Sequence, residues 1–158
     1  MVINILRPLV CNQKKVITIE GDWSNAAFFI VAGLTNNDLS LEGFSRNSLQ
    51  ADRQIMSLLE KCNARFSVTG DTLEIHKSEI PAFNFDATNC PDLIPPLCAL
   101  AANSNGICII EGVNRLKHKE SNRLEAITSE FSKCKINTEV QDNKIIVHPH
   151  KNLDFAEV

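Results

Sequence analysis

Residues 107–123 read Ile-Cys-Ile-Ile-Glu-Gly-Val-Asn-Arg-Leu-Lys-His-Lys-Glu-Ser-Asn-Arg. The run opens on an apolar strand pattern and passes through Glu111-Gly112. It leaves by a basic stretch, 115–123, in which Arg115, Lys117, Lys119 and Arg123 surround one carboxylate, Glu120. Apolar residues at Leu124, Ile127 and Phe131 follow at helical spacing, so this is a strand-to-helix connection whose last residues enter the first helical turn. Cations at a helix N-terminus oppose the dipole, an opposition that a phosphate or carboxylate seated between them relieves. On charge alone, the same residues make a solvated basic loop.

Glu111-Gly112 has an earlier counterpart. Glu42-Gly43 precedes it by 69 residues, while Cys62 and Cys134, Val68 and Val140, and His76 and His148 are each 72 apart. Hydrophobic periodicity gives both copies the same order of elements. The first has a strand at 17–20, a nearly all-apolar helix at 26–34 capped by Asp22 or Ser24, a strand at 39–43 and an amphipathic helix at 49–62. A hairpin at 66–69 and 72–76 turns on Gly70-Asp71. The second has a strand at 83–87, a helix at 91–102, a strand at 107–112, a helix at 121–135 and a hairpin at 138–140 and 145–148.

The expectation is an α+β fold of two β-α-β-α-β-β repeats, about 17–78 and 83–150, with sheet strands outside and helices packed inside. Helices 26–34 and 91–102 would be buried at the centre, and segment 1–16 stays unassigned. The offset grows by three across the basic stretch, so the second copy carries an addition there, where a lengthened loop is more often functional than a core position.

With 158 residues, 44% hydrophobic and 22% charged, the chain can bury one core, and a net charge of -3 argues against a broad nucleic-acid footprint. Six Cys without a Cys-x-x-Cys pair read as buried thiols of a reducing cytoplasm, with neither disulfide nor zinc expected. His148-Pro-His150 reads as a strand end rather than a metal site. The sequence contains no apolar run of membrane-spanning length and no signal-peptide pattern at its start. No Gly-x-Gly-x-x-Gly opens a helix, which counts against a doubly wound nucleotide fold.

Three places can carry chemistry. Asp92 follows Pro91, which suits the first position of a helix, and by itself is a carboxylate favoured by the helix dipole. Pro95 and Pro96 remove donors, predicting an irregular first turn or a restart near Leu97. Lys119 and Arg123 share a helix face and can point at one anion. Glu120 beside them can cycle a proton when a bound anion neutralises those cations.

Ile19-Glu-Gly-Asp-Trp-Ser-Asn-Ala-Ala-Phe-Phe29, Arg46-Asn-Ser-Leu-Gln-Ala-Asp52, Cys90-Pro-Asp92 and Leu116-Lys-His-Lys-Glu-Ser-Asn-Arg123 together resemble the 5-enolpyruvylshikimate-3-phosphate synthase (3-phosphoshikimate 1-carboxyvinyltransferase) family. The motifs stand in the family's order and spacing, over about 18–158. The resemblance implies a partial enolpyruvyl transferase domain at 17–158, inside the second of two domains built from three such units each, with the site in the cleft between them.

It further implies a cytoplasmic transferase of the shikimate pathway, acting without metal or organic cofactor. The enolpyruvyl group of phosphoenolpyruvate would pass to the 5-hydroxyl of shikimate 3-phosphate. Asp92 would hold the shikimate hydroxyls and take the attacking proton, Lys119 would bind the sugar-phosphate substrate, Glu120 would handle the methylene proton and Arg123 would bind phosphoenolpyruvate. Neither nucleic acid nor membrane is an expected partner.

The chain departs from the family pattern at Asn25 and Phe28, where many members carry Ser and Tyr. The family's first domain, its Asp-His-Arg-Met-Ala motif and a later Lys are absent, so the isolated chain is expected to fold without turning over. A UDP-N-acetylglucosamine enolpyruvyl transferase is the same-class alternative. Outside that class stand a non-catalytic module docking phosphate or nucleic acid, and a half-domain that merely folds.

Overall fold

A computed structural model of the chain describes residues 19–118 and 122–150. Segment 1–16, half of the strand expected at 17–20, and the expected site residues Lys119 and Glu120 lie outside the described residues. In order run α1 (Trp23–Thr35), β1 (Leu39–Leu41), α2 (Ile55–Lys61), β2 (Phe66–Thr69), β3 (Thr72–Ile75) and β4 (Asn84–Asp86). Then come α3 (Ile94–Ala102), β5 (Cys108–Glu111), α4 (Arg123–Lys133), β6 (Thr138–Gln141) and β7 (Lys144–Val147). Short 3-10 turns occupy Ala51–Gln54, Pro91–Leu93 and Val113–His118.

The strands form two sheets, β1-β3-β2 and β4-β5-β7-β6. All pairs are antiparallel except β4 with β5, a parallel pair that requires a crossover, and α3 supplies it. The registers repeat. Leu41 pairs Leu73, and Ile110 pairs Ile145, which lie 69 and 72 residues further on. Val68 faces Leu73 as Val140 faces Ile145. Ile19 and Glu20 belong to no strand, yet Gly21 N donates to Gly43 O at 2.7 Å, much as Ala87 N donates to Glu111 O at 3.0 Å.

Alternation sets which strand faces are buried: Leu73 and Ile75 in β3, and Ile145 and Val147 in β7, point into the core. Between the sheets α1 packs on α3, with Ile30, Leu34, Leu97 and Leu100 fully buried. Of the two helices expected at the centre, α3 is buried on nearly every side. α1 is not. Phe28 and Phe29 are 52% and 57% exposed, and with Asn25 and Ala32 they form an open stripe. An all-apolar sequence is covered all round only where neighbours stand on every side, and α1 meets α3 and its own sheet along one flank.

Helix boundaries also differ from the expectation. The helix expected at 49–62 is a 3-10 turn followed by α2, and Leu49 is 99% exposed. Gln50 is the cause. Its amide Nε2 donates to Glu20 Oε1 and Gly21 O, and its Oε1 accepts from Trp23 N at 2.9 Å, so its backbone stays extended at φ -64, ψ 130. α3 starts at Ile94, not Leu97, because Pro95 and Pro96 fall in its first turn, where N–H groups have no intrahelical acceptor. α4 starts at Arg123 rather than 121, with Asn122 as cap, accepting from Glu125 N at 3.3 Å.

Candidate active site

The helix starts are held to one another by side chains. Asp22 caps α1 by accepting from Ser24 N at 2.9 Å, and Asn25 Nδ2 donates to its other oxygen at 2.7 Å. The Ser24 hydroxyl donates to Asp52 Oδ2, tying α1 to the 3-10 turn 51–54. Asp52 Oδ1 is buried and has no hydrogen-bond partner among the described residues. A carboxylate oxygen left so is costly, and such exceptions concentrate where a ligand or functional group completes the set.

Cys90 continues the line, its Sγ donating to Gln54 Oε1 at 3.4 Å. Burial, with the charges of Asp52 and Asp86 behind it, pushes its thiol up to about 11, so near neutral pH it is a donor and not a nucleophile.

Asp92 lies in the 3-10 turn that follows, directly before α3. Arg123, the first residue of α4, donates from Nη1 to Asp92 Oδ1 at 3.0 Å. Arg115 Nη1 donates to Thr88 O at 2.6 Å and ties the 3-10 turn 113–118 to the loop between β4 and α3. The side chains of Arg123 and Asp92 are 42% and 40% exposed, so water screens the pair and its net contribution is about 1 kcal/mol or less. Each partner can therefore be exchanged for a ligand group. A guanidinium takes a carboxylate or phosphate in two parallel hydrogen bonds, and a freed aspartate accepts from a hydroxyl.

Of the four expected site residues, Asp92 and Arg123 are thus brought together, and Lys119 and Glu120 lie outside the described residues. Sequence reading missed Gln50 and the Ser24–Asp52 contact. All three residues sit inside the stretches 19–29 and 46–52 that carry the resemblance, and Asp52 in the first turn of a helical pattern was their one visible signal. Phe28, at the position where Tyr was expected, lies half-exposed on the open stripe of α1.

Residues 6–158 match the sequence profile of EPSP synthase (3-phosphoshikimate 1-carboxyvinyltransferase). The 3-phosphoshikimate 1-carboxyvinyltransferase of Clostridium kluyveri is 36% identical over 140 residues, 89% of this chain and 33% of that protein. That of Clostridium novyi is 37% identical over 144 residues, with 89% and 33% covered. The chain thus spans about a third of the length of the curated relatives it matches. Among solved structures, EPSP synthase of Acinetobacter baumannii superposes with a TM-score of 0.66 at 20% identity, over 83% of this chain and 32% of that one. The enolpyruvyl transferase NikO of Streptomyces tendae gives 0.61 at 20% identity, over 84% and 31%, a likeness of fold. Motifs, α+β architecture and profile agree, and the chain belongs to the EPSP synthase family.

Proposed function

We propose that this chain forms part of one wall of a site that transfers the enolpyruvyl group of phosphoenolpyruvate to the 5-hydroxyl of shikimate 3-phosphate. The observation that carries the reading is the Asp92–Arg123 pair, one carboxylate and one guanidinium 3.0 Å apart and open to solvent. Substrates replace the partner of each. Arg123 takes the carboxylate or phosphate of phosphoenolpyruvate, and Asp92 takes the shikimate hydroxyls and removes the proton of the attacking one. The hydroxyl oxygen bonds to C2 of phosphoenolpyruvate while the methylene carbon gains a proton, which gives a tetrahedral intermediate. Loss of that proton with expulsion of phosphate leaves the enol ether.

Glu120 is assigned the methylene proton and Lys119 the sugar phosphate, on the motif that places both between Leu116 and Arg123. The units that complete the cleft in the full-length relatives are part of this proposal, because fixed donors around both substrates are what lower the barrier. The test is phosphate release from shikimate 3-phosphate plus phosphoenolpyruvate, measured for this chain and for a protein restored to the relatives' length. The restored protein turns over and the chain alone does not. A restored enzyme indifferent to Asp92→Ala and Glu120→Ala overturns the assignment.

A further inference from the structure

A second concavity lies beside the first sheet, between β2, β3, the start of α1 and α2, with a volume of about 220 Å³. It shares no lining residue with the Ser24–Asp52 or Asp92–Arg123 contacts, and the reaction proposed above does not use it. Its walls are apolar: Trp23, Phe44, Met56 and Phe66 supply three aromatic rings and a thioether. Trp23 and Phe44 meet edge to face, their centroids 5.2 Å apart, which fixes both rings. An apolar cavity of about 150 Å³ suffices for benzene, so this one accommodates a single ring with a small substituent.

Two polar features of the lining lack partners. Trp23 is 3% exposed, and its indole Nε1 is a buried donor with no acceptor among the described residues. A buried indole N–H ordinarily finds one. Arg53 is half-buried in the lining and makes no ion pair among the described residues, whereas Arg46 on the same rim already donates to Val68 O at 3.0 Å. One buried neutral donor and one unpaired guanidinium at the edge of an apolar slot call for an occupant with an apolar body and one anionic acceptor. Glu60 stands in the same lining and opposes a second negative charge. We infer that this cavity binds a small aromatic monocarboxylate, its ring among Phe44, Met56 and Phe66 and its carboxylate shared between Trp23 Nε1–H and Arg53.

The chain contains one Trp, so an amide correlation spectrum of the nitrogen-15-labelled full chain holds a single indole cross-peak that reports on this atom alone. Benzoate is the probe and benzyl alcohol, of similar size without charge, the control. The expected result is a saturable downfield shift of the indole proton with benzoate, at least tenfold weaker binding of benzyl alcohol, and a similar loss in Arg53→Gln. The dispersion of the same spectra shows whether each variant is folded, and Arg46→Gln, whose guanidinium is already engaged, should change affinity less. An indole proton that does not respond to benzoate overturns the inference, as does one shifted upfield by the Phe44 ring in the free chain and unmoved by the probe. Equal affinities for benzoate and benzyl alcohol overturn it as well.

Discussion

Arg123 Nη1 reaches Asp92 Oδ1 at 3.0 Å, linking the first residue of α4 to the 3-10 turn that leads into α3. Because both side chains are about 40% exposed, their pairing adds little to folding. Asp92→Asn and Arg123→Gln should each shift urea unfolding by about 1 kcal/mol or less. In the restored enzyme, losing a charge aimed at the reacting groups should lower turnover by about 10²–10³. Paired urea titrations and phosphate-release assays check both. A variant that loses stability and activity together would make the pair structural.

Leu97 is fully buried where α3 meets α1, whereas Phe29 of α1 is 57% exposed. Leu97→Ala should cost about 2–5 kcal/mol, the range for truncating a core leucine. Phe29→Ser removes mostly solvated surface and should change stability by about 0.5 kcal/mol or less in this chain. Denaturant midpoints of the two variants decide it, and equal losses would mean that the α1 stripe is covered in solution.

Gly43 and Gly112 hold equivalent places, 69 residues apart, at φ +87 and +94. Both substitutions to Ala meet the left-handed penalty of about 1–2 kcal/mol. They differ in space: a Cβ on Gly43 meets nothing within 4 Å, whereas one on Gly112 lies 2.6 Å from the Thr88 backbone nitrogen. Gly112→Ala should therefore be distinctly the more destabilising, and it should disturb the loop that Arg115 holds through Thr88 O. Thermal melts of the two variants test this, and equal losses would count against the close approach.

Much of the fold was legible because it is periodic. Alternation located β3 and β7, and the offsets of 69 and 72 reappear as strand registers. The helix starts were less legible, since they depend on which distant group satisfies an end. Gln50 is drawn out of a helix by Glu20, Gly21 and Trp23, and no pattern local to 49–62 contains those partners. The open face of α1 was invisible for a related reason: hydrophobicity records what a helix can bury, and its neighbours decide what is covered. At the site, motif spacing paired Asp92 with Arg123, while the Ser24–Asp52 contact joins residues 28 apart that only the packing of α1 on its neighbouring turn brings together.

Acid should act on the chain through Asp38. His76 Nδ1 lies 2.9 Å from its Oδ2, and Lys77 N donates to its Oδ1 at 3.1 Å, which holds this carboxyl below its ordinary 3.8. A depressed carboxylate stabilises the fold above its unfolded pKa, and that stabilisation is lost as pH falls through the lower folded value. The stability gap between the wild-type chain and Asp38→Asn should be widest near neutral pH and should close as pH drops below about 3.8. Urea midpoints of both at about pH 6 and about pH 3 check the sign. A gap that widens on acidification would exclude this carboxylate as the source.

Alkali should act through the buried thiols. Burial pushes Cys98 up to about 12 and Cys90 up to about 11, and it raises Cys62 and Cys108 as well. Cys134 is partly exposed. In the unfolded chain a thiol ionises near 9.0, so above that pH the unfolded state releases protons that the folded state keeps. Stability is then full below about pH 9 and falls as pH climbs towards each folded value, by up to about 1.4 kcal/mol per pH unit for each such thiol. Cys98→Ala should flatten that fall between about pH 9 and 11, whatever it costs at neutral pH through the space it leaves. At about pH 8 a disulfide reagent should label Cys134 first among these five, and the other four only as fast as the fold opens. Urea midpoints across the alkaline range and peptide mapping of the labelled sites supply the two measurements. Stability that rises with pH, or five thiols labelled at one rate, would contradict the buried core described here.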